Sequence, residues 1–512
     1  MPAQQQFSVP FELSNKDHLH LGCLVDGQSE SARSGQTFDI VDPGSGRTWA
    51  SYPDCDESDV NAAVESAHRA FLNFSKWTPR KRAQCLLRWH TLIVDAREDL
   101  ARILVHETGK PLKEALGEVD YATTFTWWFV GEAERAHGTT IQSAIAGRRS
   151  LTVKQPIGVV AALIPWNFPI ALALRKASAA MAAGCTMVMK PSPETPISTI
   201  SLARLAIQAG FPPGALNVLT TSLKNTPAVA EGLCLHPLVK KVTFTGSTRV
   251  GKIIASLCSR SLKKTTLELG GNCPFIVFED ADTEMALDQL AALKWRHAGQ
   301  ACVSANRVYV HRSILEEFVQ GLIRTTSLLR VGHGMEDQTT LGPVTTLAGL
   351  DKAEELVKDA VGKGAKMLLG TGRRLAGPSD AAGSLESPAG GFFMAPTILT
   401  GVTDTMRMSQ EEIFAPVLGI SVFDTEEEVT ARANETSMGL ASYVFTKDVN
   451  RLWRMFENLE AGMIGLNTGN SSAAEAPFGG IKESGCGKES GKDVAIDEFL
   501  ITKTGTLTLT ES

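Results

Sequence analysis

From residue 157 to residue 269 the chain alternates short apolar or β-branched runs with longer stretches of helical periodicity. The runs fall at 157–164, 186–189, 217–220, 242–245 and 267–269, and the helical stretches at about 171–183, 196–209 and 248–258. Continuous apolar runs suit strands covered on both faces, and an intervening helix is the connection that parallel neighbours require. A doubly wound α/β domain is therefore expected here. Past Gly270 a second α/β pattern begins, with a helix at about 283–297 and strands near 308–311, 366–369, 442–445 and 463–467.

A chain of 512 residues exceeds one ordinary core and should divide into two or three domains. Before the alternating region, Val60, Val64, Ala67 and Phe71 step by +4, +3 and +4, an amphipathic helix. A longer helix from about 80 to 107 should stop at Thr108-Gly109-Lys110-Pro111, with Gly past the last turn and Pro beyond it. The stretch 373–391, rich in Gly, Ala, Ser and Pro, reads as a surface loop. Residues 500–509 alternate Thr with apolar or charged residues and read as a late strand suited to pairing with another subunit.

Net charge is −6, so no basic excess recruits nucleic acid or an anionic membrane, and a small-molecule partner is expected. The nine cysteines are scattered without a CxxC pair, which argues against a disulfide framework or zinc ribbon and for a reducing compartment. His18 and His20 form one HxH with nothing nearby to complete a site, and no metal is expected. The first 32 residues contain no Arg and no long apolar stretch, against both a secretory signal and an organelle presequence. The apolar zone 157–189 is interrupted by Pro165, Asn167, Pro169, Arg175 and Lys176 and is no membrane span, so the expected location is cytoplasmic.

Three groups carry possible carbonyl chemistry. Cys302, in Gly299-Gln300-Ala301-Cys302, is flanked by small and polar residues that leave room for a substrate, and a thiolate there would attack a carbonyl carbon. Glu268 ends an apolar run 34 positions earlier (302 − 268) and precedes two glycines; burial would raise its pKa toward neutrality, suiting a base. Asn167, framed by two prolines, sits outside regular structure, where a held amide can form half of an oxyanion hole with the Cys302 N–H. Gly246-Ser247-Thr248-Arg249-Val250-Gly251 follows a strand and opens a helix, a place that receives phosphate, though a lone GxxxxG equally marks a plain β–α turn.

Taken in order, Pro165–Pro169, Lys190-Pro191-Ser192, 244–251, 268–272, 299–302, Glu411-Glu412-Ile413-Phe414-Ala415-Pro416 and 477–485 resemble the aldehyde dehydrogenase superfamily over nearly the whole chain. The resemblance implies NADP or NAD as cofactor, with Cys302 as nucleophile, Glu268 as base and Asn167 as oxyanion donor. Cofactor contacts implied with it are Pro165, Trp166, Lys190, Ser192, Pro193, Gly246, Ser247, Gly251, Leu269, Glu412 and Phe414. It also implies an α/β fold with three parts: a Rossmann-like dinucleotide-binding domain (1–125 and 150–268), a catalytic domain (269–484), and a small β oligomerisation element (126–149 and 485–512). The expected assembly is a homodimer or homotetramer.

Within the superfamily the chain looks most like succinate-semialdehyde dehydrogenases, whose carboxylate ligands match Arg175, Arg296 and Ser472. An Arg offers a planar fork that grips a carboxylate at both oxygens. Another aldehyde, such as glutarate semialdehyde or a nonpolar one, stays open, as does an idle scaffold on this fold. Ser304 replaces a second Cys near the nucleophile, removing a neighbouring disulfide. Pro193 replaces a ribose-binding Glu of NAD-preferring relatives, so NADP is expected to be accepted, with NAD also open.

Overall fold

The computed structural model describes residues 9–375 and 390–509, so most of the stretch 373–391 lies outside the described residues. The first sheet has five parallel strands in the spatial order Leu216–Val218, Thr186–Pro191, Val159–Ile164, Val239–Thr245, Lys264–Glu268. Chain order therefore runs outward in one direction from Val159–Ile164 and then in the other. The reversal opens a crevice at the carboxyl ends of Val159–Ile164 and Val239–Thr245, the place where such sheets bind ligands. Every residue of Val159–Ile164 and of Thr186–Pro191 is buried, as their continuous apolar character requires. The crossover helix Pro169–Ala183 is also buried at every position, because its many alanines let it pack closely against helix Leu112–Arg135 as well as the sheet.

A second sheet runs Lys366–Leu369, Thr397–Thr400, Val417–Phe423, Ala305–His311, Cys273–Val277, Ala441–Phe445, Met463–Leu466, parallel except for its first strand. Gly485–Cys486 returns to extend the first sheet, pairing antiparallel with Leu267 and Glu268. A third sheet is antiparallel: Leu500–Thr508, Arg148–Pro156, Thr140–Gln142. The late strand pairs along its whole length with Arg148–Pro156 of its own chain, leaving its other edge open among the described residues. That small sheet thus reaches residue 156, and helix Leu112–Arg135 runs unbroken across 126.

The helix expected over 80–107 is two, Pro79–Asp95 and Arg97–Thr108, separated at Ala96 with φ −86° and ψ 5°. One non-helical residue leaves apolar periodicity almost intact, and Glu98 and Asp99 suit the fresh N-terminus that follows. Gly109 closes the second helix at φ 82° as expected. Helix Leu112–Arg135, unmarked in the sequence reading, buries Glu118, Thr123, Thr126 and Glu132 among its apolar residues, which masks the stripe. No helix among the described residues is long and apolar enough to cross a membrane.

Candidate active site

Helix Thr283–Lys294 ends three residues earlier than expected. His297, Ala298 and Gly299 then take φ of 49°, 52° and 76°, a left-handed turn that only a crowded setting maintains in non-glycine residues. Three contacts hold it: His297 N–H donates to Glu114 (2.7 Å), Gln300 Nε2 donates to His297 O (2.9 Å), and Thr345 N–H donates to Gln300 Oε1 (2.8 Å). A side chain at Gly299 would meet Ala415 O at 2.3 Å, so the turn admits only glycine there. Its far end places the half-buried Cys302 in a cavity of about 370 Å³, lined also by Asn167, Phe168, Arg175, Arg296, Ser472 and Phe478. Burial, then the charges of Glu268 and Glu412, push the Cys302 thiol up to about 12, so a base must take its proton.

Asn167 precedes helix Pro169–Ala183 and is buried; its Nδ2 donates to Gln300 O at 3.0 Å, tying the amide to the cysteine turn. Glu268 is buried at the end of Lys264–Glu268 and is absent from the cavity wall. Burial raises its carboxyl to about 8 against the opposing charge of Arg175. Arg175 Nη2 donates to Glu268, and its Nε lies 3.4 Å from Glu489, whose carboxylate also receives Lys176. Burial acts to raise Glu489, but Lys176 and Arg175 outweigh it and hold the carboxylate at about 2. Arg175 lines the cavity as expected, with its Nη2 donating to Glu268 and its Nε without a hydrogen-bond partner among the described residues.

Arg296 differs. It is exposed, lies 5.3 Å from the Phe168 ring, and makes no hydrogen bond or ion pair among the described residues. Ser472 Oγ shares a hydrogen bond with Tyr121 OH on the same cavity wall. Residues that sequence reasoning did not single out thus include Glu489, Tyr121 and Glu114. Glu114, Glu118 and Tyr121 follow i, i+4, i+7 spacing, a polar helix face that was available as a signal.

The expected cofactor residues gather at the crevice. Pro165 and Trp166 follow Val159–Ile164, Gly246 and Ser247 follow Val239–Thr245, and Leu269 follows Lys264–Glu268. Ser247 caps helix Thr248–Ser259, accepting from Val250 N–H, so that helix aims its amides at the crevice. A Cβ at Gly246 would meet the Phe244 ring at 2.4 Å, and one at Gly251 would meet Leu269 at 2.4 Å, so both glycines are required by close packing. Glu412 Oε1 accepts from Gly271 N–H at 3.1 Å, and Phe414 at φ 58° packs edge-on to Trp166. Lys190 is buried, with Nζ bonded only to Pro191 O among the described residues, and burial lowers it to about 8. These features fit a dinucleotide: a helix amino end for phosphate, a lone cation and flat apolar walls. One expectation changes. Although Pro193 removes the usual carboxylate, the next residue, Glu194, receives Ser192 Oγ and bears electrostatically on Lys190, so negative charge does stand there.

Away from this site, Asp42, His106 and His333 bring their ligand atoms within 4.8 Å of one another. Met335 N–H donates to His333 Nδ1, which leaves the proton on Nε2, 2.9 Å from Asp42. The group is accordingly a hydrogen-bonded latch, with His333 facing Asp42 as donor. His18, half of the HxH, pairs with Asp99.

Comparison with known proteins adds three findings. The aldehyde dehydrogenase family model matches residues 30–505. The chain is 45% identical to a succinate-semialdehyde dehydrogenase [NADP(+)] of Saccharomyces cerevisiae over 472 residues, 92% of each protein, and 43% identical to a 3-sulfolactaldehyde dehydrogenase of Pseudomonas putida, covering 96% of this chain and 98% of that one. Among solved structures, a succinate-semialdehyde dehydrogenase from Burkholderia pseudomallei superposes with a TM-score of 0.93 at 40% identity, covering 98% of this chain and 100% of that one. A betaine aldehyde dehydrogenase from Staphylococcus aureus in complex with NAD+ superposes at 0.91 with 33% identity, covering 97% and 96%. With the cysteine turn, the crevice and these matches in agreement, the chain belongs to the aldehyde dehydrogenase family.

Proposed function

We propose that this NAD(P)-dependent aldehyde dehydrogenase converts succinate semialdehyde to succinate. The observation that carries the substrate is the free guanidinium of Arg296 facing the cavity that contains Cys302. In this reading the far carboxylate rests on Arg296 and on the Ser472–Tyr121 hydroxyl pair, while Arg175 adds positive charge from behind and anchors Glu268. Cys302 Sγ passes its proton to Glu268, which releases it to solvent, and adds to the aldehyde carbon; Asn167 Nδ2 and the Cys302 N–H face the oxyanion. Bound NAD(P)+ supplies the hydride acceptor. The acyl group is left as a thioester on Cys302, and Glu268 takes a proton from the water that hydrolyses it. Lys190, Ser192, Pro193, Ser247, Glu412 and Phe414 are the residues that would hold the dinucleotide.

The nine free cysteines suit a reducing, cytoplasmic setting. The division into 1–125 with 150–268, 269–484, and 126–149 with 485–512 is kept as a proposal, with the last part extended to the end of Arg148–Pro156. Ile141, Leu151, Val153 and Leu507 are exposed on the small sheet, and a second copy of the chain covering them gives a homodimer or homotetramer. The deciding assay is initial rates with succinate semialdehyde, comparing NAD+ with NADP+, beside butanal and 3-sulfolactaldehyde. Efficiency on butanal equal to that on succinate semialdehyde discards the substrate assignment, and a higher efficiency on 3-sulfolactaldehyde replaces it.

A further inference from the structure

Lys110 and Glu118 form an ion pair whose side chains are 0% and 1% exposed. Buried pairs of this kind are poor stabilisers, and well-packed apolar replacements often serve the fold as well, so stability alone does not explain this one. Its other contacts do. Lys110 Nζ donates to Asn167 O at 2.9 Å and lies 4.2 Å from the Phe168 ring. Glu118 Oε1 accepts from Ile170 N–H at 3.0 Å and from Ala171 N–H at 3.2 Å. Those are amides of the first turn of helix Pro169–Ala183, which has no side-chain cap of its own. A carboxylate from a different helix thus serves as its cap, with the favourable sign for a helix amino end. Both partners therefore grip one short segment, 167–171, from the same side, and the segment's remaining tether is Asn167 Nδ2 on Gln300 O in the cysteine turn.

We propose that Lys110 and Glu118 are positioning residues that set the Asn167 amide over the carbon attacked by Cys302. The inference rests on the reading of Asn167 as oxyanion donor. Neither residue touches the reacting atoms; the pair acts through the backbone it holds. A shift of about 1 Å in that amide is enough to lower turnover ~100-fold.

The test compares the parent enzyme with Lys110→Met/Glu118→Leu, with Asn167→Ala, and with all three changes together. Four quantities are read: kcat, KM, Tm, and the rate at which iodoacetamide alkylates Cys302, a reaction that needs no oxyanion donor. The expected result for the apolar pair is kcat down ~100-fold with KM and alkylation rate nearly unchanged, and Tm lowered because Ile170 and Ala171 N–H and Asn167 O lose their buried partners. Adding Asn167→Ala should then cost little more, since both act on one interaction. Glu118→Gln, which keeps an acceptor for the two amides, should lie between parent and pair variant, and it carries the test if the pair variant does not fold. A kcat within about 3-fold of the parent in the pair variant, or in Glu118→Gln where that stands in for it, while Asn167→Ala falls ~100-fold, overturns the inference alone. An Asn167→Ala enzyme as fast as the parent overturns the reading of Asn167 and this inference with it. Parallel losses in Tm, alkylation and kcat reduce the pair to a structural role and also overturn it.

Discussion

Replacing Arg296 by Met should separate recognition of the substrate's far end from everything else the enzyme does. The guanidinium is exposed and without a hydrogen-bond or salt-bridge partner among the described residues, so its removal strands no buried carboxylate. What goes is a weak cation–π contact with Phe168, worth about 0.5–1 kcal/mol at an exposed site, a minor electrostatic pull on the Cys302 thiol and on Glu114, and whatever it gives the substrate. A charge-assisted bond to a carboxylate contributes about 1.5–3 kcal/mol. Taking about 3 kcal/mol for a two-pronged grip predicts a ~150-fold fall in kcat/KM for succinate semialdehyde. Butanal, with the same four carbons and no charge, should lose less than ~3-fold, and Tm should hold. Arg296→Lys should recover only part of the loss, because an ammonium is a point charge without the fork. Arg175→Met is the instructive contrast. It leaves Glu268 and Glu489 with one cation fewer in a buried cluster, so about 3–5 kcal/mol of stability and turnover of both aldehydes should suffer together. Steady-state kinetics on the two substrates, with thermal melts, decide the matter. Equal losses on both aldehydes in the Arg296→Met enzyme, or none on succinate semialdehyde, would refute the reasoning.

Three further outcomes are expected. Glu268, raised by burial from 4.5 to about 8, is ionised in only about a tenth of molecules at pH 7, so hydrolysis of the acyl enzyme should quicken with pH and level off above 8; Glu268→Gln should flatten that profile, and a pH-independent parent rate contradicts it. Glu194→Gln should shift the NADP+/NAD+ ratio of kcat/KM toward NADP+ by ~5-fold or more, since it removes the carboxylate beside Lys190; an unchanged ratio removes Glu194 from coenzyme choice. Leu151→Lys with Leu507→Lys should dissociate the assembly in light scattering, and an unaltered mass would move the subunit contact elsewhere.

The strand–helix alternation was legible because it depends on local pattern, whereas Cys302, Asn167 and Glu268 drew attention through ordered motifs that resemble a family. Apolar runs flanked by helices demand a covered parallel sheet. What stayed hidden depends on which segments meet in space. Nothing along the chain reveals that Arg175 faces Glu268, 93 residues away, or that Lys176 and Glu489, 313 apart, share a buried ion-pair cluster. Sequence displays the Arg175 guanidinium without its partner. Pro193 suggested a missing charge because position by position comparison ignores a neighbour whose side chain reaches the same space. Helix Leu112–Arg135 escaped for a related reason: polar residues needed by the site interrupt its apolar stripe.

That helix turns one face to three separate walls of the cavity. Glu114 holds the cysteine turn, Glu118 the amino end of Pro169–Ala183, and Tyr121 the loop bearing Ser472. Because each residue advances 100° around the axis, inserting or deleting one amino acid between 114 and 121 would swing at least one of these groups away from its wall. Outward positions on the same stretch, such as the exposed Lys113, should accept wide substitution. Variation in this enzyme should therefore be free in residue type on one side of the helix and rigid in length along it.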